Sequence, residues 1–593
     1  MYGRDNLQKI LILHPDIKIH KEYMAQSEII YVFNPVKFNL IVEKTKKDFN
    51  NYIDSISEYY GDNIDWWVTS LASRNTMVSK SFLNLCYLIY ADELINSDSI
   101  SGIICWSKGL KKDLDKILRK KTKKIELSIA PSNKNFVQKF YEYFLISILL
   151  QIRHFVKITF RKIAASKSSL KLSERISIDR PLNLLDVFVF ENSFSRSKFI
   201  DRYYNDFVER TNTKIEWTYL PTLHGVKNIY DCYLKMRKSK NRFLIREDYL
   251  KYNDYFWALC HILRVVLLRK RYDLFKGLEV KNILKEEYFN YLKKIDLELL
   301  LNYRLAKRLK ILNIQISIII DWFENQSIDK SQNLGFHKYY KGIKIIGYQG
   351  FQSDSNYLSL QPTIIEQKYN VLPDIIAVIG KKKIHKVKEF NPKVNVIVAP
   401  AFRFGHLHEN KLIQYQGKSI LIGLPIMLNE SYLILEMIKS VLPSLSDCPN
   451  INVKIHPAVD KNLIFNYINT LSLVGYVKIV EDSIDKLLID TGLMISSTSS
   501  ILVESLAKGI PVIVIGSQTE ITHNPIPNSI SNSIWDICYS NIDLLKQIRY
   551  FLNTSGVGKI EFKNIGSDIM ENYFEPVNDE TIKNFLYELR HRN

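Results

Sequence analysis

The region from Lys418 to Gly516 alternates short apolar segments with amphipathic ones, and this alternation constrains the fold more than any other feature of the chain. The apolar segments predict buried strands, and the segments between them have the periodicity of helices. Short connections between alternating strands and helices favour parallel strands with right-handed crossovers. The region therefore predicts a doubly wound α/β sheet. Its predicted strands are Ser419–Pro425, Asn452–Pro457, Tyr476–Glu481, Gly492–Ile495 and the segment VIVIG after Pro511.

A run of hydroxyl residues follows the predicted strand Gly492–Ile495. A helix predicted from about Ser499 to Lys508 comes next, and Gly509 is expected to end it in the left-handed conformation. Hydroxyls and unpaired backbone N–H groups at such a turn can bind a phosphate. The alternative is that the hydroxyls only cap the helix. The candidate phosphate ligands are Ser497, Thr498, Ser499 and Ser500.

Two more side chains are predicted at the same end of this sheet. His456 and Pro457 end the strand that begins at Asn452, and parallel strands present their carboxyl ends at one edge. A histidine there can hydrogen-bond a phosphate or, when protonated, stabilise a departing one. Glu504 lies one helical turn beyond Ser500 and is suited to ribose hydroxyls. The alternatives are a strand terminator for His-Pro and a solvated helix charge for Glu504.

Residues 1–130 predict a separate α/β unit. A polar turn that contains Arg74 and Asn75 follows one of its predicted strands, where ligand groups of such sheets collect. These two residues are candidate ligand-binding residues, and the alternative is a turn held by its own side chains. The predicted strands are Ile10–Leu13, Ile29–Phe33, Trp66–Thr69, Gly102–Cys105 and Lys124–Ile129.

Residues 131–180 predict a helical linker that contains the aromatic and aliphatic helix Phe136–Phe160. Charged residues interrupt this helix, so it does not predict a membrane span. It is expected either to be buried between domains or to lie on an anionic membrane surface. The apolar run near the N-terminus is too short for a signal peptide and reads as a first strand.

Residues 181–417 predict a second large α/β domain, interrupted by a basic helical insertion at 246–312, and residues 418–593 form the third. Two such sheets in tandem suggest a ligand cleft between the domains. The strands predicted in the second domain are Leu184–Phe190, Lys214–Tyr219, Ile314–Ile320, Ile343–Tyr348, Ile375–Ile379 and Val394–Val398.

The composition restricts the partners. The chain has 82 Lys and Arg against 62 Asp and Glu, a net charge of +20, which favours an anionic partner. It has no RNA-binding signature or zinc-finger spacing, so nucleic acid is not expected. Six separated cysteines without a CxxC pair indicate reduced thiols in the cytoplasm and no cysteine metal site. The acidic pair Asp113 and Asp115 is predicted to lie on a solvated helix face.

The ordered motifs KIHP (Lys454–Pro457) and SSTSSILVESLAKGIPV (Ser496–Val512) resemble the His-Pro and Ser-Ser/Thr motifs of bacterial glycosyltransferases that use CMP-activated nonulosonic acids. These include sialyltransferases, polysialyltransferases and the Kdo and pseudaminic-type transferases. The resemblance implies a GT-B fold, in which two Rossmann-like domains face a cleft, here with an extra N-terminal α/β unit and a helical insertion. It also implies that His456, Pro457, Ser497 to Ser500 and Glu504 hold the CMP part of the donor.

The resemblance does not supply the catalytic base, because the acidic motif of many bacterial sialyltransferases has no counterpart here. The acidic turn IIIDWFENQ offers Asp321 and Glu324 instead, and structural pairing with basic residues is the alternative. The segments WWVTSLASRN, WFENQSIDKSQNLGF and GYQGF are similar to a wider group of bacterial surface-carbohydrate biosynthesis proteins. Gln349, within GYQGF, joins Arg74 and Asn75 as a candidate acceptor ligand.

The resemblance thus predicts a glycosyltransferase that moves a nonulosonic acid from a CMP-sugar to an anionic surface polysaccharide or lipid-linked glycan. No metal and no other cofactor is expected. The enzyme is expected in the cytoplasm, with the inner face of the membrane as an alternative location. Two other functions stay open: a GT-B enzyme that uses a UDP- or GDP-sugar, and a non-catalytic scaffold of a polysaccharide assembly complex.

Overall fold

The structure, a computed structural model, contains three parallel sheets. It describes residues 8–26, 29–97, 100–130, 136–169, 180–195, 198–205, 207–211, 215–352, 354–409, 419–445 and 449–591.

The N-terminal unit is built on a parallel sheet with the strand order β2-β1-β3-β4. The predicted strand Trp66–Thr69 is wrong, because this segment is helical. Asn63 and Thr69 each accept a backbone N–H through the side chain and start two short helices there. The strands are β1 (Gln8–Leu13), β2 (Ile29–Tyr31), β3 (Gly102–Cys105) and β4 (Glu126–Ile129). The helices are α1 (Ile17–Met24), α2 (Pro35–Tyr60), α3 (Ile64–Trp67), α4 (Ser70–Ser73), α5 (Ser81–Asn96) and α6 (Lys108–Lys120).

The segment predicted as a linker contains one long helix, α7 (Phe136–Ser169), and residues 170–179 lie outside the described ranges. Helix α7 packs against the helical insertion and the second domain. Within the described residues, no helix combines the length and the apolar character needed to cross a membrane.

The second domain begins with the elements that precede the insertion. These are β5 (Leu182–Val189), β6 (Phe194–Ser195), β7 (Lys198–Phe199), α8 (Phe207–Thr211), β8 (Trp217–Leu223), α9 (Ile229–Lys238) and β9 (Arg242–Phe243). Residue Lys214, the predicted start of the second strand, lies outside the described residues.

The insertion is helical, as predicted, and shares a hydrophobic core with the N-terminal unit. Asp113 of α6 is buried, and its carboxylate accepts the backbone N–H groups of Asn282 and Ile283 from the insertion. The predicted solvated position of Asp113 is therefore wrong, because this carboxylate caps a helix of the insertion. The elements are α10 (Arg246–Tyr249), α11 (Tyr252–Leu259), α12 (His261–Leu267), β10 (Leu274–Phe275), β11 (Leu278–Glu279), α13 (Lys281–Lys293) and α14 (Leu297–Ile311).

The sheet of the second domain is completed after the insertion. Its seven strands are parallel in the order β15-β14-β13-β12-β5-β8-β9, so the sequence order reverses between β5 and β12. The added elements are β12 (Ile316–Trp322), α15 (Ser327–Tyr339), β13 (Lys344–Gln349), α16 (Ile364–Lys368), β14 (Ile375–Val378), α17 (Lys383–Val387), β15 (Asn395–Val398) and α18 (His406–Glu409).

The third domain has the predicted doubly wound sheet. Its six strands are parallel in the order β18-β17-β16-β19-β20-β21, with the reversal between β16 and β19. The strands are β16 (Ser419–Gly423), β17 (Ile451–Lys454), β18 (Val477–Ile479), β19 (Thr491–Ser496), β20 (Val512–Ile515) and β21 (Trp535–Cys538). The helices are α19 (Leu428–Val441), α20 (Lys461–Thr470), α21 (Ile484–Ile489), α22 (Ile501–Ala507), α23 (Asn541–Asn553), α24 (Gly556–Tyr573) and α25 (Asp579–His591).

The C-terminal segment leaves the third domain and returns to the second. The backbone N–H of Glu575 donates to Ile379 O at 2.7 Å, and that of Ala401 donates to Glu575 O at 2.9 Å. On α25, the ring of Phe585 lies 6.1 Å from that of Phe207. The third domain, predicted as 418–593, therefore gives its last helix to the packing of the second domain.

The carboxyl edges of the two large sheets face each other. The loop after β13 meets the loop after β20, where Asn356 donates to Thr522 O at 2.8 Å and His523 pairs with Asp354. This confirms the predicted fold class: two Rossmann-like domains face a cleft, with an additional N-terminal α/β unit and a helical insertion.

Candidate active-site cleft

The donor-site residues predicted in the third domain lie at one edge of its sheet. The turn Ser497–Ser500 follows β19 and His456 follows β17, and β16 lies between these strands. Two strand spacings separate the ends of β17 and β19, which is roughly 10 Å. The turn lies where the strand order reverses, and ligands of doubly wound sheets bind in the crevice at that point.

The hydroxyls of this turn are held within the protein. Ser497 and Thr498 both donate to Glu430 Oε2, the latter at 2.8 Å, and Ser500 donates to Glu504 Oε1 at 3.2 Å. A hydroxyl that donates to a carboxylate cannot donate its proton to a phosphate as well. The turn therefore has less capacity to bind a phosphate through Ser497 and Thr498 than its sequence suggests. Glu430, in the first turn of α19, is a site residue that sequence reasoning missed.

His456 is half-buried at the end of β17, and Nδ1 of its ring accepts the backbone N–H of Ala458 at 3.1 Å. Burial lowers the pKa of His456, and the nearby Arg403 lowers it further. The imidazole is therefore neutral at pH 7, and its proton is on Nε2 because Nδ1 is an acceptor. It can donate a hydrogen bond to a ligand oxygen, whereas the protonated form is disfavoured.

Arg403 connects the two sides of the cleft electrostatically. It is exposed in a short 3₁₀ helix (Phe402–Phe404) after β15, and its charge lowers the pKa of both Glu324 and His456. Close by in sequence, His406 Nε2 lies 3.3 Å from Glu504 Oε2. Sequence reasoning missed Arg403 and His406. The one pattern that could have indicated them is weak: both lie in the segment FRFGH, shortly after the predicted strand Val394–Val398.

Glu324 lies in the second domain where its strand order reverses, directly after β12. Its carboxylate accepts Trp322 Nε1 at 3.2 Å and also the side-chain amide of Gln326. Burial raises the pKa of Glu324, although these hydrogen bonds and the charge of Arg403 act in the opposite direction. A carboxylate with a raised pKa at the edge of a cleft has the properties of a general base.

Asp321, the other predicted base, lies inside the sheet. Its side chain is 2% exposed, and Oδ1 accepts Gln332 Nε2 at 3.1 Å. Burial, together with the carboxyl groups of Asp329 and Asp186, raises the pKa of Asp321 well above its usual value. Asp321 is therefore harder to ionise than an exposed carboxyl and has no access to an acceptor hydroxyl, so the structure favours Glu324 of the two.

Arg74, predicted as an acceptor ligand, is buried in an internal ion pair. It donates to Glu366 at 2.8 Å, and Lys330 Nζ lies 2.6 Å from the same carboxylate. Burial would raise the pKa of Glu366, but the two cations hold it at about 2. Asn325 donates to this carboxylate at 3.0 Å and is the neighbour of Glu324 in sequence. The position of Arg74 thus fits a role in holding the Glu324 loop rather than in binding a ligand.

A cavity of about 1020 Å³ lies between the N-terminal unit, α7, the insertion and the carboxyl ends of β5 and β8. Asn75 lines this cavity together with Ser70 and Ser73, so the predicted polar turn does face a binding space. Gln326, which donates to Glu324, also lines it and places the cavity beside the candidate base. Gln349 does not line it, and its amide is buried at 3.4 Å from Leu360 O.

One group of potential metal ligands is found within the described residues: His154, Asp296 and Glu298. Glu298 already pairs with Arg161 at 2.5 Å and with Arg246 at 3.2 Å. These two guanidinium groups supply the positive charge that a cation would bring, so the arrangement fits an internal ion-pair cluster.

Comparison with known proteins gives only distant similarity. No protein-family model and no curated protein matches the chain. Among solved structures, S. aureus MnaA with UDP has a TM-score of 0.42 at 8% identity, covering 70% of this chain and 96% of that one. A UDP-GlcNAc 2-epimerase of Methanocaldococcus jannaschii has a TM-score of 0.37 at 11% identity (69% and 100% covered). A variant of S. aureus TarM has a TM-score of 0.39 at 13% identity, covering 69% of this chain and 100% of that one.

Removing the buried Arg74 charge should destabilise the protein. In Arg74→Met, Glu366 stays buried with one of its two cations gone, and breaking a buried ion pair costs about 3 to 5 kcal/mol. Urea unfolding followed by fluorescence measures the loss as a lower midpoint. The matched control is Lys368→Met, because Lys368 lies on the same helix as Glu366 and pairs with Glu58 of α2 at 2.7 Å but is half-exposed. This control should cost at most about 1 kcal/mol, and an equal effect of both variants would contradict the assignment.

Asp186 should make stability fall as pH rises. Burial raises its pKa from 3.8 to about 7 in the folded protein. The folded state therefore binds this proton more tightly than the unfolded state does. The stability that this proton binding contributes is complete below about pH 4 and is lost as the pH rises to about 7. Asp186→Asn should flatten this part of the profile of urea midpoint against pH, by up to about 4 kcal/mol. The control Asp231→Asn, at a carboxylate that is 45% exposed and pairs with Lys235, should change the profile far less. An unchanged profile in Asp186→Asn would refute the assignment.

Proposed function

We propose that the chain is a glycosyltransferase that transfers a nonulosonic acid from a CMP-activated donor to a surface-glycan acceptor. The observation that carries this proposal is the pairing of two sites across the cleft. His456 and the turn after β19 lie on one side, Glu324 lies on the other, and Arg403 acts electrostatically on both His456 and Glu324. The sequence resemblance of the KIHP and SSTSS motifs supports the choice of CMP.

The donor would bind in the crevice of the third domain. Its single phosphate would accept hydrogen bonds from His456 Nε2 and from backbone N–H groups of the turn, with Arg403 as the counter-charge. Glu430 and Glu504 are acceptors, so they would suit ribose hydroxyls, which can take the place of the serine and threonine hydroxyls that donate to them now. In this arrangement hydrogen-bond donors and the charge of Arg403 would hold the phosphate, and carboxylates would hold the ribose.

Transfer would need one proton acceptor and stabilisation of one leaving group. Glu324 would take the proton of the acceptor hydroxyl as its oxygen forms a bond to the anomeric carbon. The bond from that carbon to the CMP phosphate oxygen breaks, and the electron pair leaves with CMP. Arg403 and the Nε2–H of His456 would stabilise the negative charge that grows on this phosphate.

The acceptor would approach Glu324 from the large cavity. The cavity is lined by more basic than acidic side chains, which suits an anionic glycan. The N-terminal unit forms one wall, which would give that unit a role in acceptor binding. The basic residues are Lys80, Lys157, Arg161, Arg246, Lys293 and Lys294, and the acidic ones are Glu247, Glu287, Asp296 and Glu298.

Isothermal titration with CMP, UDP and GDP tests the donor. We expect CMP to bind, and His456→Ala to weaken it about 10- to 100-fold through loss of a hydrogen bond to a charged group. The exposed His385→Ala should bind CMP as the unchanged chain does. Tight binding of UDP or GDP with no binding of CMP would replace the CMP assignment by the nucleotide that binds. The absence of binding by all three would favour the non-catalytic scaffold.

A pair of carboxyl variants tests the base. Glu324→Gln should lower the kcat for hydrolysis of CMP-sialic acid, or for transfer to a glycan panel, by about 10²- to 10⁴-fold. Its affinity for CMP should stay unchanged, because Glu324 belongs to the other domain. Asp321→Asn should keep kcat within a few-fold, since this buried carboxyl cannot reach an acceptor hydroxyl. A large loss in Asp321→Asn with none in Glu324→Gln would reverse the assignment.

A further inference from the structure

The outer side of α7 exposes apolar side chains that no described residue covers. From Ile146 onward, eight apolar residues of this helix are between 38% and 63% exposed. Soluble proteins expose single apolar residues everywhere, but rarely in a continuous group of this size. The residues are Ile146, Ile148, Leu149, Leu150, Ile152, Val156, Phe160 and Ile163.

The exposed residues form one stripe along the helix. Ile146, Leu149, Val156, Phe160 and Ile163 recur at the spacing of a helix face, and the span from the first to the last is about 26 Å. The opposite face packs inward through the buried residues Gln151, Ile158, Arg161, Ala164, Ala165 and Ser168. The sequence predicts for this helix either burial between domains or a place on a membrane surface. The described residues leave the outer face of the helix unburied.

The polar residues beside the stripe carry one sign of charge. Residues 146–169 contain five basic residues and no Asp or Glu. Arg153, Lys157 and Lys167 are exposed next to the apolar side chains. A helix that combines an apolar stripe with adjacent cationic side chains matches the interface of an anionic bilayer, where the apolar groups enter the acyl boundary and the long cationic side chains reach out to the phosphates.

A second copy of the chain fits this surface less well. In a two-fold dimer the same patch meets itself, so Arg153, Lys157 and Lys167 of both copies would be brought together. Like charges at an apolar interface oppose association, and the chain as a whole carries a net charge of +20. Helix α11 packs against α7 and exposes Tyr252 and Phe256. Tyrosine is enriched at membrane interfaces, because one end of its side chain is apolar and the other is polar.

We propose that α7 lies in the plane of an anionic phospholipid surface with its stripe Ile146–Ile163 embedded. Lys157 and Arg161 of the same helix line the large cavity, so the bound orientation places that cavity close to the lipid headgroups. Membrane binding by this surface does not depend on the proposed activity. If the proposed activity holds, it gives the cavity direct access to a lipid-linked acceptor.

Flotation with lipid vesicles tests this proposal on the full chain. The protein should float with vesicles of phosphatidylcholine and phosphatidylglycerol, and should not float with phosphatidylcholine alone. The triple variant Leu149→Ser, Val156→Ser, Phe160→Ser should lose flotation. The control variant Ile542→Ser, Val557→Ser, Ile560→Ser removes apolar residues that are 62% to 84% exposed on α23 and α24, and should float as before.

The charge contribution is tested by Arg153→Gln with Lys167→Gln, which should weaken binding to the anionic vesicles about 10- to 30-fold. Circular dichroism and CMP titration of every variant distinguish lost membrane binding from misfolding or from failure of the donor assignment. Failure of the unchanged chain to float with anionic vesicles would overturn the proposal. So would a dimer, seen by analytical ultracentrifugation, that the triple variant dissociates, because the stripe would then be covered by a second copy.

Discussion

The buried carboxylate of Glu366 is the point on which the arrangement of the cleft depends. It forms ion pairs with Arg74 of the N-terminal unit and Lys330 of α15, and it accepts a hydrogen bond from Asn325, the neighbour of Glu324 in sequence. Each of the three charges, on Glu366, Arg74 and Lys330, would be costly to bury alone, so they are stable in the interior only together. One carboxylate therefore fixes the accessory unit, a helix of the second domain and the loop of the candidate base in a single arrangement.

The two sides of the cleft use carboxylates in different ways. Glu430 and Glu504 accept hydrogen bonds from hydroxyls of their own domain and so shape the turn after β19. Glu324 is desolvated, and its pKa rises, which makes it more basic. The difference comes from the surroundings of each group, because polar neighbours stabilise the charged form and burial opposes it.

The third domain could be predicted closely from sequence because its strands are short apolar runs separated by Gly, Pro and polar turns. The segment Trp66–Thr69 could not, since Asn63 and Thr69 start helices through local hydrogen bonds that outweigh the β-propensity of the aromatic residues. Asp321 and Glu324 are equivalent in sequence, and only their burial separates them. Arg403 and Glu430 could not be predicted either, because only the tertiary structure brings their charges close to the site residues. The return of α25 to the second domain is likewise a property of packing alone.

The N-terminal unit is hydrogen-bonded to both large domains, and this limits how the cleft can move. It holds the second domain through Arg74 and the third through Tyr87, which donates to Thr519 O at 2.6 Å, and through the ion pair of Lys80 with Glu520 at 2.8 Å. A hinge rotation that separates the two domains would have to break one of these attachments. Opening of the cleft is therefore tied to motion of the accessory unit or of the 517–524 loop, one of which would have to move before a ligand held between the two domains could exchange with solvent.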